Sequence, residues 1–209
     1  MTDWVNWHGA YTAPDSALSN RLTVVRRVLE DVVVSRAPQR LRVLSLCSGD
    51  GRDVLPVLAG WARQKQVKAR LIELDPELAD RARRLVRDER LLGVEVICGD
   101  AASPHNYSGV VPADVVVACG IFGNVSDADV RRMIHAMPAL SAPHGHVVWT
   151  RHRGHPDLTD SIRLWFAEVG FEERAFHSPG PKQWSVGCHQ LVGEPAVSTI
   201  RGPLFTFVR

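Results

Sequence analysis

The chain has 209 residues, enough for one domain around a single well-buried core. With 45% apolar and 23% charged residues it has the composition of an ordinary globular protein, and a formal charge of +2 is too small to argue for a nucleic-acid partner. Cys47, Cys98, Cys119 and Cys188 are far apart and form no CxxC pair, the start lacks the apolar core of a signal peptide, and no run could cross a bilayer; these features point to reduced thiols in a cytoplasmic protein with no membrane partner.

After a Trp-, His- and Tyr-rich start, Leu18, Leu22, Val25, Leu29 and Val32 recur at alternating spacings of four and three, which predicts one apolar helix stripe ending near Ala37-Pro38. Arg42 to Leu46 reads as a short strand. Val54, Leu58 and Trp61 mark the next helix, with Pro56 tolerated in its first turn. Ala69 to Leu74 is a second strand, and Pro76 opens a helix carrying Leu78, Ala82, Leu85 and Val86. Its arginines, Arg81, Arg83, Arg84, Arg87 and Arg90, alternate with Asp80, Asp88 and Glu89, so they read as a solvated face rather than a phosphate-binding stripe.

The alternation continues with strands at Val94 to Cys98 and Ala113 to Cys119. Ser126 followed by Asp129 resembles a capping box before a helix of Val130, Met133, Ile134 and Met137. Gly145 to Thr150 is a fifth strand. Leu158, Ile162, Trp165, Phe166 and Val169 form a helix stripe stopped by Gly170. Phe171 to Phe176, Trp184 to Val192 and Leu204 to Val208 close the chain as strands. Alternating strands and helices imply a mostly parallel sheet covered on both faces. The turn-rich Ser178-Pro179-Gly180-Pro181 link implies an antiparallel hairpin at one edge.

Within this pattern one stretch stands out. Val43-Leu44-Ser45-Leu46 runs into the small-residue turn Cys47-Ser48-Gly49-Asp50-Gly51, and a helical pattern follows at once. Such a turn brings backbone against a ligand at the carboxyl end of a strand. Twenty-two residues beyond Gly51, Glu73 lies near the end of the second strand, where a carboxylate can accept hydrogen bonds from both ribose hydroxyls. Together these features point to a nucleoside cofactor.

Over residues 40–192 the pattern resembles the class I S-adenosylmethionine-dependent methyltransferases. The resemblance rests on Ser45 to Gly51 as the glycine-rich first motif, Ile72-Glu73-Leu74-Asp75-Pro76-Glu77 as the second, Cys98-Gly99-Asp100-Ala101 after the third strand and Ala118-Cys119-Gly120 after the fourth. It implies a three-layer α/β/α sandwich with a mostly parallel, seven-stranded Rossmann-like sheet. It also implies one domain over residues 1–209, in which residues 1–36 form an amino-terminal cap segment and helix and residues 40–192 the cofactor-binding core. Ser45, Cys47, Ser48, Gly49, Asp50 and Gly51 would wrap the methionine part of S-adenosyl-L-methionine. Glu73 and Leu74 would meet the ribose, Asp100 and Ala101 the adenine, and Cys119 and Gly120 the methionine end. Two positions depart from the family pattern. Ser45 stands where an acid is usual, so Asp50 or a backbone carbonyl would hold the cofactor's amino group instead. Cys47 stands where glycine is usual, and its Cβ calls for a negative φ.

Taken singly these residues have plainer readings: the glycines as a tight turn, Glu73 as a strand-end acid, and Asp75 and Asp100 as helix caps. Their common register favours the cofactor. A nicotinamide fingerprint would need a third glycine where the chain has Val54, and Asp50 and Asp53 bring negative charge where a pyrophosphate would bind.

Methyl transfer asks the protein mainly for alignment, so no residue need be catalytic. Acceptor-side candidates are Trp4, Trp7, His8 and Tyr11 at the start, Ile121, Phe122 and Asn124 after the fourth strand, and Arg151, His152 and Trp184. Of these His8 and Tyr11 are the acid/base candidates, and Trp7, Phe122, Asn124 and His152 the substrate contacts. The histidines of Arg151-His152-Arg153-Gly154-His155 lack the carboxylate support of a metal site, so no metal is expected. An Asn-Pro-Pro-Tyr motif is absent, which with the near-neutral charge favours a small-molecule methyl acceptor whose reacting atom, oxygen, nitrogen or carbon, stays open. A binding protein or non-methylating catalyst on the same pocket is the alternative.

Overall fold

The computed structural model describes residues 16–36, 40–181, 183–196 and 202–208. Helix α1 (Ala17–Ser35) starts where the Ser16 side chain accepts the Ser19 amide at 3.0 Å. Strand β1 (Leu41–Leu46) leads through a turn to α2 (Leu55–Gly60), and a 3-10 turn precedes β2 (Val67–Glu73). Asp75 caps α3 (Pro76–Asp88) by accepting the amides of Glu77 and Leu78, as read from sequence. Then come β3 (Val94–Cys98), β4 (Ala113–Ala118), α4 (Asp127–Leu140), β5 (Ser141–His152), α5 (Thr159–Glu168), β6 (Phe171–His177) and β7 (Trp184–Leu191).

The seven strands form one sheet in the order β3-β2-β1-β4-β5-β7-β6. Strands β1 to β5 run parallel, and β7 lies antiparallel between β5 and β6, which gives the expected edge hairpin. Two apolar cores cover the two faces. One joins Val25, Leu29 and Val32 of α1 and Leu55 and Leu58 of α2 to Val43, Leu71 and Val117. The other joins Met133, Ile134 and Phe166 to Leu44, Leu46, Val116 and Trp149. All six residues of β4 are buried, as a central strand covered on both sides requires. Chain order reverses between β1 and β4, the kind of switch point beyond whose strand ends open α/β sheets bind their ligands.

Three local expectations are corrected. Helix α2 ends at Gly60, and Trp61 has extended backbone (φ −78°, ψ 125°), so it caps that helix instead of extending its stripe. Ser126 accepts the Asp129 amide at 3.1 Å, but Asp129 does not complete a capping box: its carboxylate accepts the Thr206 amide at 3.0 Å and pairs with Arg132 at 2.6 Å. Residues 204–208 form no strand beyond one bridge, Val125 to Phe207. They run instead as a tie across two loops. The Leu204 amide donates to the Ala102 carbonyl at 2.8 Å, the Val208 amide donates to the Asn124 carbonyl at 2.9 Å, and Leu204 and Phe205 sink into the core.

Candidate functional site

The turn after β1 is held by its own backbone and by β2. Cys47, Gly49 and Gly51 all lie at positive φ (51°, 56° and 75°). The Ser48 amide donates to the Ile72 carbonyl at 3.0 Å, and the Gly49 amide donates to Glu73 Oε2 at 2.7 Å. Glycine is required at 51, since a Cβ there would sit 2.5 Å from Leu55 Cδ1 and 3.0 Å from Leu71 Cδ2. Cys47 corrects the expectation of a negative φ. The chain bends there in the left-handed region with a side chain in place, a conformation that costs an L-residue roughly 1–2 kcal/mol.

Glu73 is buried at the end of β2, and its second oxygen accepts the Asp75 amide at 2.9 Å. Beside it Leu74 leaves an apolar side chain 66% exposed. At the end of β3, Asp100 accepts the Ala102 amide on Oδ1 at 2.8 Å. Its backbone carbonyl accepts from Asn106 Nδ2 at 2.9 Å, and the buried Tyr107 hydroxyl donates to the Ala101 carbonyl. Burial, then the carboxylates of Glu73 and Asp100, push the Cys47 thiol well above its ordinary pKa. The turn after β1 therefore lies within reach of the charge of both acids.

The end of β4 forms the other wall. Gly120 has φ +77°, donates its amide to Thr150 Oγ1 at 2.8 Å, and among the described residues has no atom within 4 Å of where a Cβ would stand. Asn124 Nδ2 donates to the Gly120 carbonyl at 2.7 Å, which fixes the loop's curl. His152, at the end of β5, has its ring against Gly123 and accepts the Gly154 amide on Nδ1 at 3.1 Å. Trp184 pairs with His152 across β7.

Other sequence candidates fall elsewhere. The Phe122 ring is fully buried against Trp149, with centroids 5.9 Å apart, and Ile121 is fully buried too; both belong to the core rather than to an acceptor pocket. Apolar rings after a central strand are drawn into the sheet's own packing. Arg151 belongs to β5, not to a solvated loop: its guanidinium is buried, donates to the Phe122 carbonyl and pairs with Asp127 at 3.5 Å. Trp4, Trp7, His8 and Tyr11 lie outside the described residues.

Ser45 and Asp50 also have structural occupations. Ser45 is fully buried in β1, and its Oγ has no hydrogen-bond partner among the described residues. Asp50 is clasped by Arg52, with contacts of 2.8 Å and 2.5 Å to its two oxygens. Sequence reasoning passed over Asp53 as a contact because an acid just ahead of a helix looks like ordinary end-charge. Its Oδ1 accepts the Val54 amide at 2.9 Å. Burial, with Asp50 adding to it and Arg26 opposing, raises its carboxyl from 3.8 to about 6. Thr150 and Asn106 were missed as well, since their roles depend on contacts between distant loops.

Residues 43–145 match a family model described as a methyltransferase domain. No curated protein matches the chain by sequence. Among solved structures, magnesium protoporphyrin IX methyltransferase from Synechocystis PCC 6803, with bound S-adenosylmethionine, is similar with a TM-score of 0.67 at 13% identity, over 91% of this chain and 91% of that one. The N-methyltransferase NodS from Bradyrhizobium japonicum WM9 is similar with a TM-score of 0.61 at 16% identity, over 85% and 98%. A possible exported protein from Bordetella parapertussis gives 0.65 at 18% identity, over 85% and 68%. At these identities the likeness is one of fold. Among the described residues no helix is long and apolar enough to cross a membrane.

Proposed function

We propose that this chain, whose residues 43–145 belong to the methyltransferase-domain family and whose fold is that of class I Rossmann-like methyltransferases, transfers a methyl group from S-adenosylmethionine to a small-molecule acceptor. One observation carries the reading: the turn at Cys47–Gly51 is bonded to Glu73 and lies within reach of the charge of Asp100, beside the point where strand order reverses. The residues there fit the cofactor. Space lies open before Gly120, Leu74 offers an apolar surface, and Asp100 Oδ2 has no partner among the described residues. Both Glu73 oxygens take amides, yet each keeps a lone pair for a ribose hydroxyl.

When bound, the cofactor supplies a methyl group already activated by its sulfonium. The protein's task is then to hold donor and acceptor in line. Cys119 serves this by staying a neutral thiol: burial, and next the charge of Asp53, push its pKa far up, and Cys47 is shifted the same way. Two thiols beside a methyl donor thus do not compete with the acceptor as thiolates. On the acceptor side we place Asn124 and His152, with Trp7, His8 and Tyr11 from the amino-terminal segment. His152 accepts the Gly154 amide on Nδ1, which fixes its ring at the end of β5.

Charge distribution supports a small molecule over a nucleic acid. On α3, Arg81 pairs with Glu77 at 2.5 Å and Arg83 with Asp80 at 2.7 Å, which offsets two of the five arginines noted in the sequence. We read the chain as one domain and, from its four free thiols, as a cytoplasmic protein. Calorimetry with S-adenosylmethionine, followed by detection of S-adenosylhomocysteine across a panel of small acceptors, RNA and DNA, tests the proposal. Turnover with a small acceptor alone is the expected result. Binding without turnover on any acceptor would favour a cofactor-binding protein, and no binding would overturn the reading.

A further inference from the structure

The methionine end of S-adenosylmethionine carries an ammonium, and the crevice must present a counter-charge to it. Around the turn after β1 most candidates are neutral or engaged. Ser45 is neutral and buried beneath the turn. Both oxygens of Asp50 face Arg52, and those of Glu73 face the amides of Gly49 and Asp75, toward the β2 side. Asp53 differs from them. Its carboxylate is met by backbone amides, Val54's on Oδ1 at 2.9 Å, it forms no ion pair among the described residues, and the side chain is half-buried, not sealed. Asp53 also lies close enough to Cys119, at the end of β4, for its charge to act on that thiol. Arg26, whose charge acts on Asp53, sends both Nε and Nη2 to the Arg52 carbonyl, at 2.9 Å and 2.6 Å.

We propose that Asp53 is the counter-charge that binds the ammonium of the cofactor's methionine moiety and so sets the reach of the methyl group along the crevice. The proposal rests on the reading of the site as one for S-adenosylmethionine. A half-buried carboxylate held by backbone amides, with no ion pair among the described residues, is an unbalanced charge, and burial makes such a charge expensive to hold. An arriving ammonium removes that cost and gains a charge-assisted hydrogen bond. The raised carboxyl, at about 6, is what this imbalance produces in the free protein.

The test compares three ligands by calorimetry on wild type and Asp53→Asn: S-adenosylmethionine, S-adenosylhomocysteine and 5′-methylthioadenosine, which lacks the amino-acid end. Asp53→Asn keeps the shape of the side chain, and a thermal melt checks its fold. The variant is expected to lose about tenfold or more in affinity for the first two ligands and nothing for methylthioadenosine. Wild-type affinity for S-adenosylmethionine is also expected to fall from about pH 8 to about pH 5, as Asp53 takes up a proton, whereas the variant's should not. Unchanged affinity for S-adenosylmethionine, or an equal loss for all three ligands, would overturn the role of Asp53 while leaving the cofactor reading intact. A wild-type protein that binds none of the three would overturn both.

Discussion

The Gly49 amide donates to the Glu73 carboxylate at 2.7 Å, so the tip of the turn after β1 is fastened to the end of β2 by a buried acid. The same carboxylate holds the Asp75 amide at 2.9 Å, which also makes it a brace for the start of α3. Glu73→Ala would leave two amides without their acceptor. We expect a stability loss of about 1–3 kcal/mol by urea titration. In calorimetry the same variant should bind S-adenosylmethionine at least tenfold more weakly, because support of the turn and contact with the ribose are lost together.

Position 47 gives a prediction of opposite sign. Cys47 occupies φ +51° with a side chain that favours other backbone regions. Cys47→Gly should raise stability by about 0.5–1 kcal/mol, less than the full relief of strain because glycine gains more freedom when unfolded. Gly51→Ala should do the reverse and lower stability by about 2 kcal/mol or more, since its Cβ would overlap Leu55. Paired chemical denaturation curves decide both.

Asp53 makes the free protein less stable as pH rises. Its folded carboxyl titrates near 6 against an ordinary 3.8, with Asp50, Arg26 and Cys119 as its charged or titratable neighbours. The folded state binds the proton more tightly, so stability is lost as pH climbs through the window from about 4 to about 6. Asp53→Asn removes that loss. After allowance for solvent screening, the variant should exceed wild type by about 1–2 kcal/mol at pH 8 and match it near pH 4.

His189 acts in the opposite direction. It is 1% exposed and accepts the Trp149 indole N–H on Nδ1 at 3.1 Å. Burial depresses its pKa from 6.5 to about 4, although Glu173, at 3.7 Å, works against this. The unfolded chain takes up the proton more readily, so stability falls as pH drops from about 6.5 toward 4. His189→Gln keeps an acceptor for Trp149 and should flatten that acid limb by up to about 2 kcal/mol, measured by denaturation at pH 7 and pH 5. Part of the slope should persist, because buried His146 is depressed to about 4 as well.

Much of this architecture was legible in the residues themselves. Apolar runs punctuated by caps placed the five parallel strands, the hairpin at Ser178–Pro181 and the Asp75 cap, because each depends on neighbours close in sequence. The turn at Cys47–Gly51 and the acid at Glu73 were legible for the same reason. What stayed hidden depends on contacts between distant segments. Nothing local announces that Cys47 bends with positive φ, that Arg151 turns inward to a carbonyl of the neighbouring loop, or that Phe122 packs on Trp149. Aromatic and β-branched residues at 204–208 look like a strand, yet their amides find partners on two separate loops instead of on one neighbouring strand.

Those last bonds bear on how such a crevice could change its preference. Ala102, just past Asp100, and Asn124, beside Gly120, are both gripped by the stretch from Leu204 to Val208. The spacing between the loop after β3 and the loop after β4 is thereby gauged by a remote cross-brace. Under the proposed function, resizing that brace would retune which acceptors fit without altering a residue of either loop.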